Sequence, residues 1–455
     1  MGKPDNSTKM HTVGISQSYS KHLRETLTLA WPVILGHMGH MVISQADTIM
    51  IGRLGKVNLA AATLANSMFF LPLVIGIGIA MAISPLVAQA LGAERRQEVK
   101  LLLSQSFLVG IWSGVFFIVV SFGVAELLPY LGQDPEVVPL AQDYLRIIGL
   151  SALPMLIYLG LKHYCDGFED VIPGMLVMAF IVVLNIFGNW LLINGHWGLP
   201  ALGLRGAGWA TFGSRLGGCI LVILYIGMAK RYRPYIKDGI NLRHHIETIK
   251  RILKIGLPSG FQYFFEVGAF SGAVVLIGWI SPDAQSAHQI ALGIPAVTYM
   301  VYLGLSAAAS IRVGNALGRK DKEGIRKAGM AAMFAGAVFI VISTALILPL
   351  HNLLPSLYID DMGVETLAAS LLIIAAIFQV GDGFQAICLG ALRGMEDVRI
   401  PTIFTFIAYW AIGLPVGYTL MSYFDMGAEG IWYGLTAGMV FSALVMTLRF
   451  ERLTR

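Results

Sequence analysis

The chain has 455 residues, 56% of them hydrophobic and only 13% charged, with a mean hydropathy of +0.71. Soluble domains carry about a quarter charged residues and far fewer long apolar runs, so water is excluded as the main solvent. The formal charge of +5 does not point to nucleic acid, because the basic residues stand in short segments between apolar blocks, where anionic lipid headgroups are the natural partner.

The first twenty residues are polar and lack the apolar core of a signal peptide. Met1-Gly2-Lys3-Pro4-Asp5-Asn6 also lacks the Ser or Thr that myristoylation needs where Asn6 stands. Apolar blocks long enough to cross about 30 Å of hydrocarbon follow near residues 26–50, 59–83, 101–128, 139–160, 172–194 and 206–229. A second set lies near 250–280, 287–310, 328–350, 366–390, 400–422 and 430–448. Each must be helical, since backbone amides find no water inside a bilayer and the alternation of barrel strands is absent. The expectation is an all-α polytopic membrane protein with a tail at 1–21, an N-lobe at 22–229, a linker at 230–249, a C-lobe at 250–449 and a tail at 450–455. Cys165, Cys219 and Cys388 are isolated and odd in number, which suits structural thiols better than disulfides or a C-x-x-C site.

When alternate connections are assigned to opposite sides, 27 of the 32 lysines and arginines gather on one side with both termini. Arg53, Lys56 and Arg205 fall on the other side, and Arg146 and Arg215 within spans. The positive-inside rule then places the segments 84–100, 230–254 and 312–327 and both termini in the cytoplasm. The expected location is the plasma membrane, for a bacterium the inner one.

The two sets of spans repeat. An offset of 226 residues lays Pro32 on Pro258, Ser84 on Ser310, Val87 on Val313, and Ala90-Leu91-Gly92 on Ala316-Leu317-Gly318. At an offset of 227, Gly167-Phe168-Glu169-Asp170-Val171 meets Gly394-Met395-Glu396-Asp397-Val398, and Gly203-x-x-Gly206 later answers Gly427-x-x-Gly430. With six spans each, both halves enter from the same side. A parallel repeat about an axis along the membrane normal follows, with alternating access by rocking of two halves.

Carboxylates in the apolar blocks are the main functional signal, because a charge at the bilayer centre costs at least about 2.5–3.5 kcal/mol and needs a partner, a wet cavity or a task. Asp47 lies toward the outer end of span 1, Glu266 follows Gln262-Tyr263-Phe264-Phe265 in span 7, and Asp382 sits in the middle of span 10. A buried carboxylate can hold and release a proton or metal ion as water comes and goes. His37, His40, Ser44 and Asp47 share one helix face; His37 and His40 read as the lining of a wet cavity rather than a metal site, which needs more convergent ligands. Asn185 and Asn189 in span 5 and Gln289 beside His288 in span 8 suit either substrate contact or interhelical hydrogen bonds. Gly213/Gly217, Gly256/Gly260 and Gly434/Gly438 read as close helix packing. No G-x-x-x-x-G-K-[ST] occurs, so energy must come from an ion gradient or a partner.

Trp31-Pro32-Val33, Ala46-Asp47-Thr48-Ile49-Met50-Ile51-Gly52, Phe264-Phe265-Glu266-Val267, Ala287-His288-Gln289-Ile290-Ala291-Leu292, Ser310-Ile311-Arg312-Val313-Gly314, Gln379-x-x-Asp382 and Gly390-Ala391-Leu392-Arg393-Gly394 together resemble the MATE (multidrug and toxic compound extrusion) transporters, NorM-like branch. The likeness runs from about residue 22 to 449. It implies efflux of amphipathic, often cationic drugs through a cleft between two six-helix lobes by a monomer, with H⁺ or Na⁺ as the coupling ion and no cofactor. It assigns cation coupling to Glu266 and Asp382, with Na⁺ as one candidate there, and coupling or drug binding to Asp47. Phe378 stands where sodium-binding relatives can carry a tyrosine, which tilts the expectation toward the proton. The expected substrate cleft comprises Gln262, Tyr263, Phe264, Phe265, His37, His40, Asn185, Asn189 and Gln289. The rival readings are a flippase for a lipid-linked precursor, which would want a cationic cavity, and a channel; no catalytic constellation marks an enzyme.

Overall fold

A computed structural model describes residues 19–237, 239 and 242–455. The expected N-terminal tail, apart from 19–21, and linker positions 238, 240 and 241 lie outside the described residues. Among the described residues, twelve helices are long and apolar enough to span a membrane: α1 (Tyr19–Gly52), α2 (Lys56–Gly92), α3 (Arg96–Leu131), α4 (Val137–Gly167), α5 (Ile172–Asn194), α6 (Leu204–Met228), α7 (Ile246–Gly278), α8 (Pro282–Gly318), α9 (Lys322–Leu350), α10 (Met362–Gly394), α11 (Arg399–Tyr423) and α12 (Gly427–Thr454). All twelve apolar blocks are therefore helices. Several run past the hydrocarbon-length block, so that residues 84–92 and 312–318, expected in connections, are further helical turns. Pro32, Pro72, Pro258 and Pro295 lie inside helices. A feature not foreseen is a π-helical segment, Ile407–Gly413, in the middle of α11.

The repeat recurs in the backbone. Left-handed residues that are not glycine are uncommon, yet Glu94 and Lys320, at the 226 offset, have φ of 56° and 58°, and Glu169 and Glu396, at 227, have 62° and 61°. The glycine contacts repeat as well: a Cβ on Gly167 would meet Val87 Cβ at 2.5 Å and the Ser84 carbonyl at 2.8 Å, and one on Gly394 would meet Ser310 and Val313 in the same way. Two six-helix lobes related by a pseudo-two-fold axis result.

The lobes meet at the end that carries the start of α1, the end of α12 and most of the described basic residues. There α2 crosses α7, with a Cβ on Gly78 falling 2.2 Å from Gly260 Cα, while α8 crosses α1, with one on Gly304 falling 2.3 Å from Ile34. On the axis itself, Gly92 faces the Asn315 carbonyl and Gly318 the Gln89 carbonyl, at 2.2 and 2.1 Å from the missing Cβ. Those two contacts are one contact seen twice, since both members are 226 residues apart. Ion pairs ring the same end: Arg312 of α8 with Glu25 of α1 at 2.6 Å, and Arg251 of α7 with Glu98 of α3 and with Glu396. The basic half of α1 also gives Leu29, Ala30 and Val33 to an apolar cluster otherwise built largely by α8, α9, α10 and α12.

Of the three expected glycine pairs, Gly256/Gly260 packs on the α2 backbone and Gly434/Gly438 on α11. In the third pair Gly217 packs on α5, where a Cβ would meet Leu184 at 3.0 Å and Phe180 at 3.3 Å, while Gly213 meets nothing within 4 Å. Arg146, expected inside a span, is partly exposed and paired with Glu126 at 2.5 Å. Large exposed apolar side chains such as Trp112, Phe116, Val119, Val341 and Leu444 cover the outer surface, as hydrocarbon contact requires.

Candidate functional site

Residues 262, 263 and 266 share one face of α7 by helical spacing, and this face turns toward α8 and α10. Glu266, 7% exposed, accepts a hydrogen bond from the Tyr299 hydroxyl of α8 at 2.7 Å. Asp382 of α10 is 4% exposed and interacts electrostatically with Glu266, with Tyr299, Tyr302 and Tyr409 around the pair. Around it, Tyr302 and Ser343 donate to Gln379 Oε1 at 3.5 and 3.2 Å, and the Gln385 amide donates to Tyr409 at 3.1 Å. Gln379 Nε2 and Gln385 Oε1 are buried without a partner, which leaves one donor and one acceptor unused within a turn of Asp382 on α10. A small cavity lined by Gln262, Tyr263, Glu266, Tyr299, Ala386, Leu389 and Arg393 has room for about one water molecule.

Phe264 and Phe265 are not in that wall. Phe265 packs on Phe406 of α11, ring centroids 5.0 Å apart, and its carbonyl accepts from Trp410 at 3.0 Å; the 100° step between neighbours on a helix turns it away from Glu266. Phe378 stacks edge-on against Phe270 and Trp432. Gln289 is exposed on α8, while its neighbour His288 is buried and accepts from Trp432 Nε1 at 3.0 Å.

The first lobe holds a second polar cluster. Asn189 donates to Asp47 Oδ1 at 2.5 Å and to Asn185 Oδ1 at 3.3 Å, and Asn185 donates to Thr211 of α6 at 3.3 Å. Both asparagines are fully buried. As placed, they join α1, α5 and α6 around Asp47 rather than line an open cleft. Asn189 Oδ1 has no partner, so the residue that donates to Asp47 keeps one unused buried acceptor. Arg215 lies near enough to act on Asp47 electrostatically, donates to Ser151 at 2.6 Å and sits over the Phe69 ring at 5.5 Å. His37 is half-buried and His40 exposed on α1. Both feel Lys162 of α4 electrostatically, and Lys162 pairs with Asp166 at 2.7 Å.

The structure thus brings Glu266 and Asp382 into one interior, and Asp47 with Asn185 and Asn189 into another. Sequence reasoning missed Tyr299, Tyr302, Tyr409, Thr211 and Arg393 as site members. The i, i+3 tyrosines of span 8 and an arginine closing an apolar block were visible signals. Thr211 had none, because a threonine hydroxyl in an apolar helix is usually spent on its own backbone, as here on the Ala207 carbonyl, and Tyr409 had none, because a lone tyrosine in an apolar block does not show which helix its hydroxyl meets.

The MatE family profile matches residues 32–191 and 258–419, once in each half. A probable multidrug resistance protein NorM of Rhodopseudomonas palustris is 36% identical over 97% of this chain and 94% of its own, and one of Brucella suis is 33% identical over 97% and 95%. Among solved structures, the eukaryotic MATE transporter AtDTX14 superposes with a TM-score of 0.85 at 21% identity, covering 96% of this chain and 99% of that one. An outward-facing multidrug resistance MATE family transporter of the MOP superfamily gives 0.86 at 21%, covering 96% and 98%.

Proposed function

Because this chain belongs to the MATE family of multidrug and toxic compound extrusion transporters, we propose that it is a secondary active efflux antiporter, expelling amphipathic, often cationic compounds in exchange for H⁺ or Na⁺. The observation that carries this reading is the facing of Glu266 and Asp382 inside the second lobe. Two carboxylates in a low-dielectric interior, one of them hydrogen-bonded by the neutral Tyr299 hydroxyl, call for a cation between them. The same charge attracts an organic cation, so ion and drug compete, and that competition is the coupling. Asp47 with Asn185, Asn189 and Thr211 is a second candidate cation site. Phe378 supplies no oxygen to the Asp382 site, which favours the proton over Na⁺ there.

In this proposal the basic end and both termini face the cytoplasm of a cell whose plasma membrane holds the protein, as a monomer, with lobes at 22–229 and 250–449. The contacts between lobes then close the cytoplasmic side, and the cleft bearing His37, His40, Gln262, Tyr263 and Gln289 opens outward. Cation entry displaces the drug, the lobes rock, and the cytoplasmic side opens for reloading.

Counter-transport in proteoliposomes, with pH and sodium gradients imposed separately, tests the scheme. Glu266→Gln and Asp382→Asn are expected to abolish ion-driven efflux while the purified protein stays monodisperse. Wild-type transport by both variants would remove these carboxylates from the mechanism.

A further inference from the structure

Arg393 closes α10 with only 2% of its surface exposed. Its Nε donates to Ser259 Oγ at 3.2 Å, and its guanidinium lies beside the Tyr263 hydroxyl. Both partners are neutral. Other arginines near this end are paired: Arg312 with Glu25, Arg251 with Glu98 and Glu396, and Arg449 with Asp397. Arg393 forms no ion pair with any described residue. A guanidinium offers five donors in a planar fork suited to a carboxylate, and leaving it buried with two neutral partners is unfavourable. Packing does not explain the choice, because the residue 227 positions earlier is Asp166, paired with Lys162 at 2.7 Å and His163 at 3.2 Å. The same place in the fold accepts a carboxylate in one lobe and an arginine in the other.

The unpaired guanidinium also faces a cavity. Arg393 and Glu266 line one space together with Gln262, Tyr263 and Tyr299, and the Tyr263 hydroxyl feels both charges. A carboxylate and a guanidinium both border that space. A ligand complementary to it bears an amine and an acid.

We propose that Arg393 is a specificity-determining residue that takes the carboxylate of a transported compound while Glu266 and Asp382 engage its cationic end. This rests on the efflux reading above and extends it to compounds that carry both charges. The cavity here holds about one water molecule, as suits a loading site whose entrance the meeting lobes have closed.

The test compares two dyes that differ in one group: rhodamine 6G, whose benzoate is an ethyl ester, and rhodamine 19, the same dye with the free acid. Transport into proteoliposomes is measured for the wild type, Arg393→Gln and Arg393→Lys. Loss of one charge-assisted hydrogen bond predicts that Arg393→Gln raises the ratio of KM for the acid to KM for the ester about tenfold. Arg393→Lys, which keeps the charge without the fork, should restore part of that ratio. An unchanged ratio in Arg393→Gln, or a wild type that moves the ester and rejects the acid, overturns the proposal. A wild type that moves neither dye against a gradient counts instead against the efflux reading, so the two failures are distinguishable.

Discussion

Replacing Gly78 by alanine should drive the lobes apart at their closed end. The new Cβ would stand 2.2 Å from Gly260 Cα, 2.3 Å from Gly260 N and 2.8 Å from the Ser259 carbonyl carbon, where ordinary carbon contacts are about 3.5–4.0 Å. Every obstructing atom is backbone, so no rotamer change relieves the clash, and α2 and α7 must separate by more than about 1 Å. Overpacking of this kind costs about 1–3 kcal/mol, which corresponds to a factor of about 5–150 in a two-state equilibrium. If the crossing exists only while the basic end is closed, the whole penalty falls on that state. Spin labels at Gln97 on α3 and Arg326 on α9, both exposed, would report it by double electron–electron resonance; the native cysteines are buried. A longer-distance population should grow in Gly78→Ala, and net efflux should slow. Gly213→Ala is the control, because its Cβ meets nothing within 4 Å. If Gly78→Ala matches the wild type in both distance distribution and rate, the crossing is not part of the closed gate.

Two further outcomes are expected. Arg312→Gln loses its pairing with Glu25 and its bonds to the His22 carbonyl at 2.5 Å and to Thr26 at 2.6 Å; hydrogen bonds to a charged group contribute about 1.5–3 kcal/mol each, so the same label pair should shift toward longer distances. Asn189→Ala removes the amide donor to Asp47 at 2.5 Å and should lower stability by about 1–3 kcal/mol, read as a reduced midpoint of thermal unfolding in detergent, whereas an unchanged midpoint would mean that Asp47 is satisfied by other groups.

Where the helices run, how many there are and that one half repeats the other were legible in the chain, because those properties are imposed locally. Bilayer thickness sets the length of each apolar block, and the absence of water forces each into a helix whatever its neighbours. The glycines and motif residues at fixed offsets, such as Gly92 and Gly318 or Glu169 and Glu396, keep their spacing because each lobe needs the same turns. The isolated acids Asp47, Glu266 and Asp382 stood out for the same local reason, a charge inside an apolar block.

Which helix each polar group meets could not be read in that way. Lipid is as apolar as leucine, so no hydrophobic force selects one helix partner over another, and shape and interhelical hydrogen bonds decide it. Asn189 finds Asp47 across 142 residues, and Glu266 is held by Tyr299 while Phe265, its neighbour in sequence, turns to α11. The basic half of α1 packs on the second lobe although it belongs by sequence to the first. Arg393 looked like one more cytoplasmic charge until the fold enclosed it on the wall of a cavity shared with Glu266, without an ion-pair partner among the described residues. Tertiary packing alone determined that the guanidinium and the carboxylate border a single cavity.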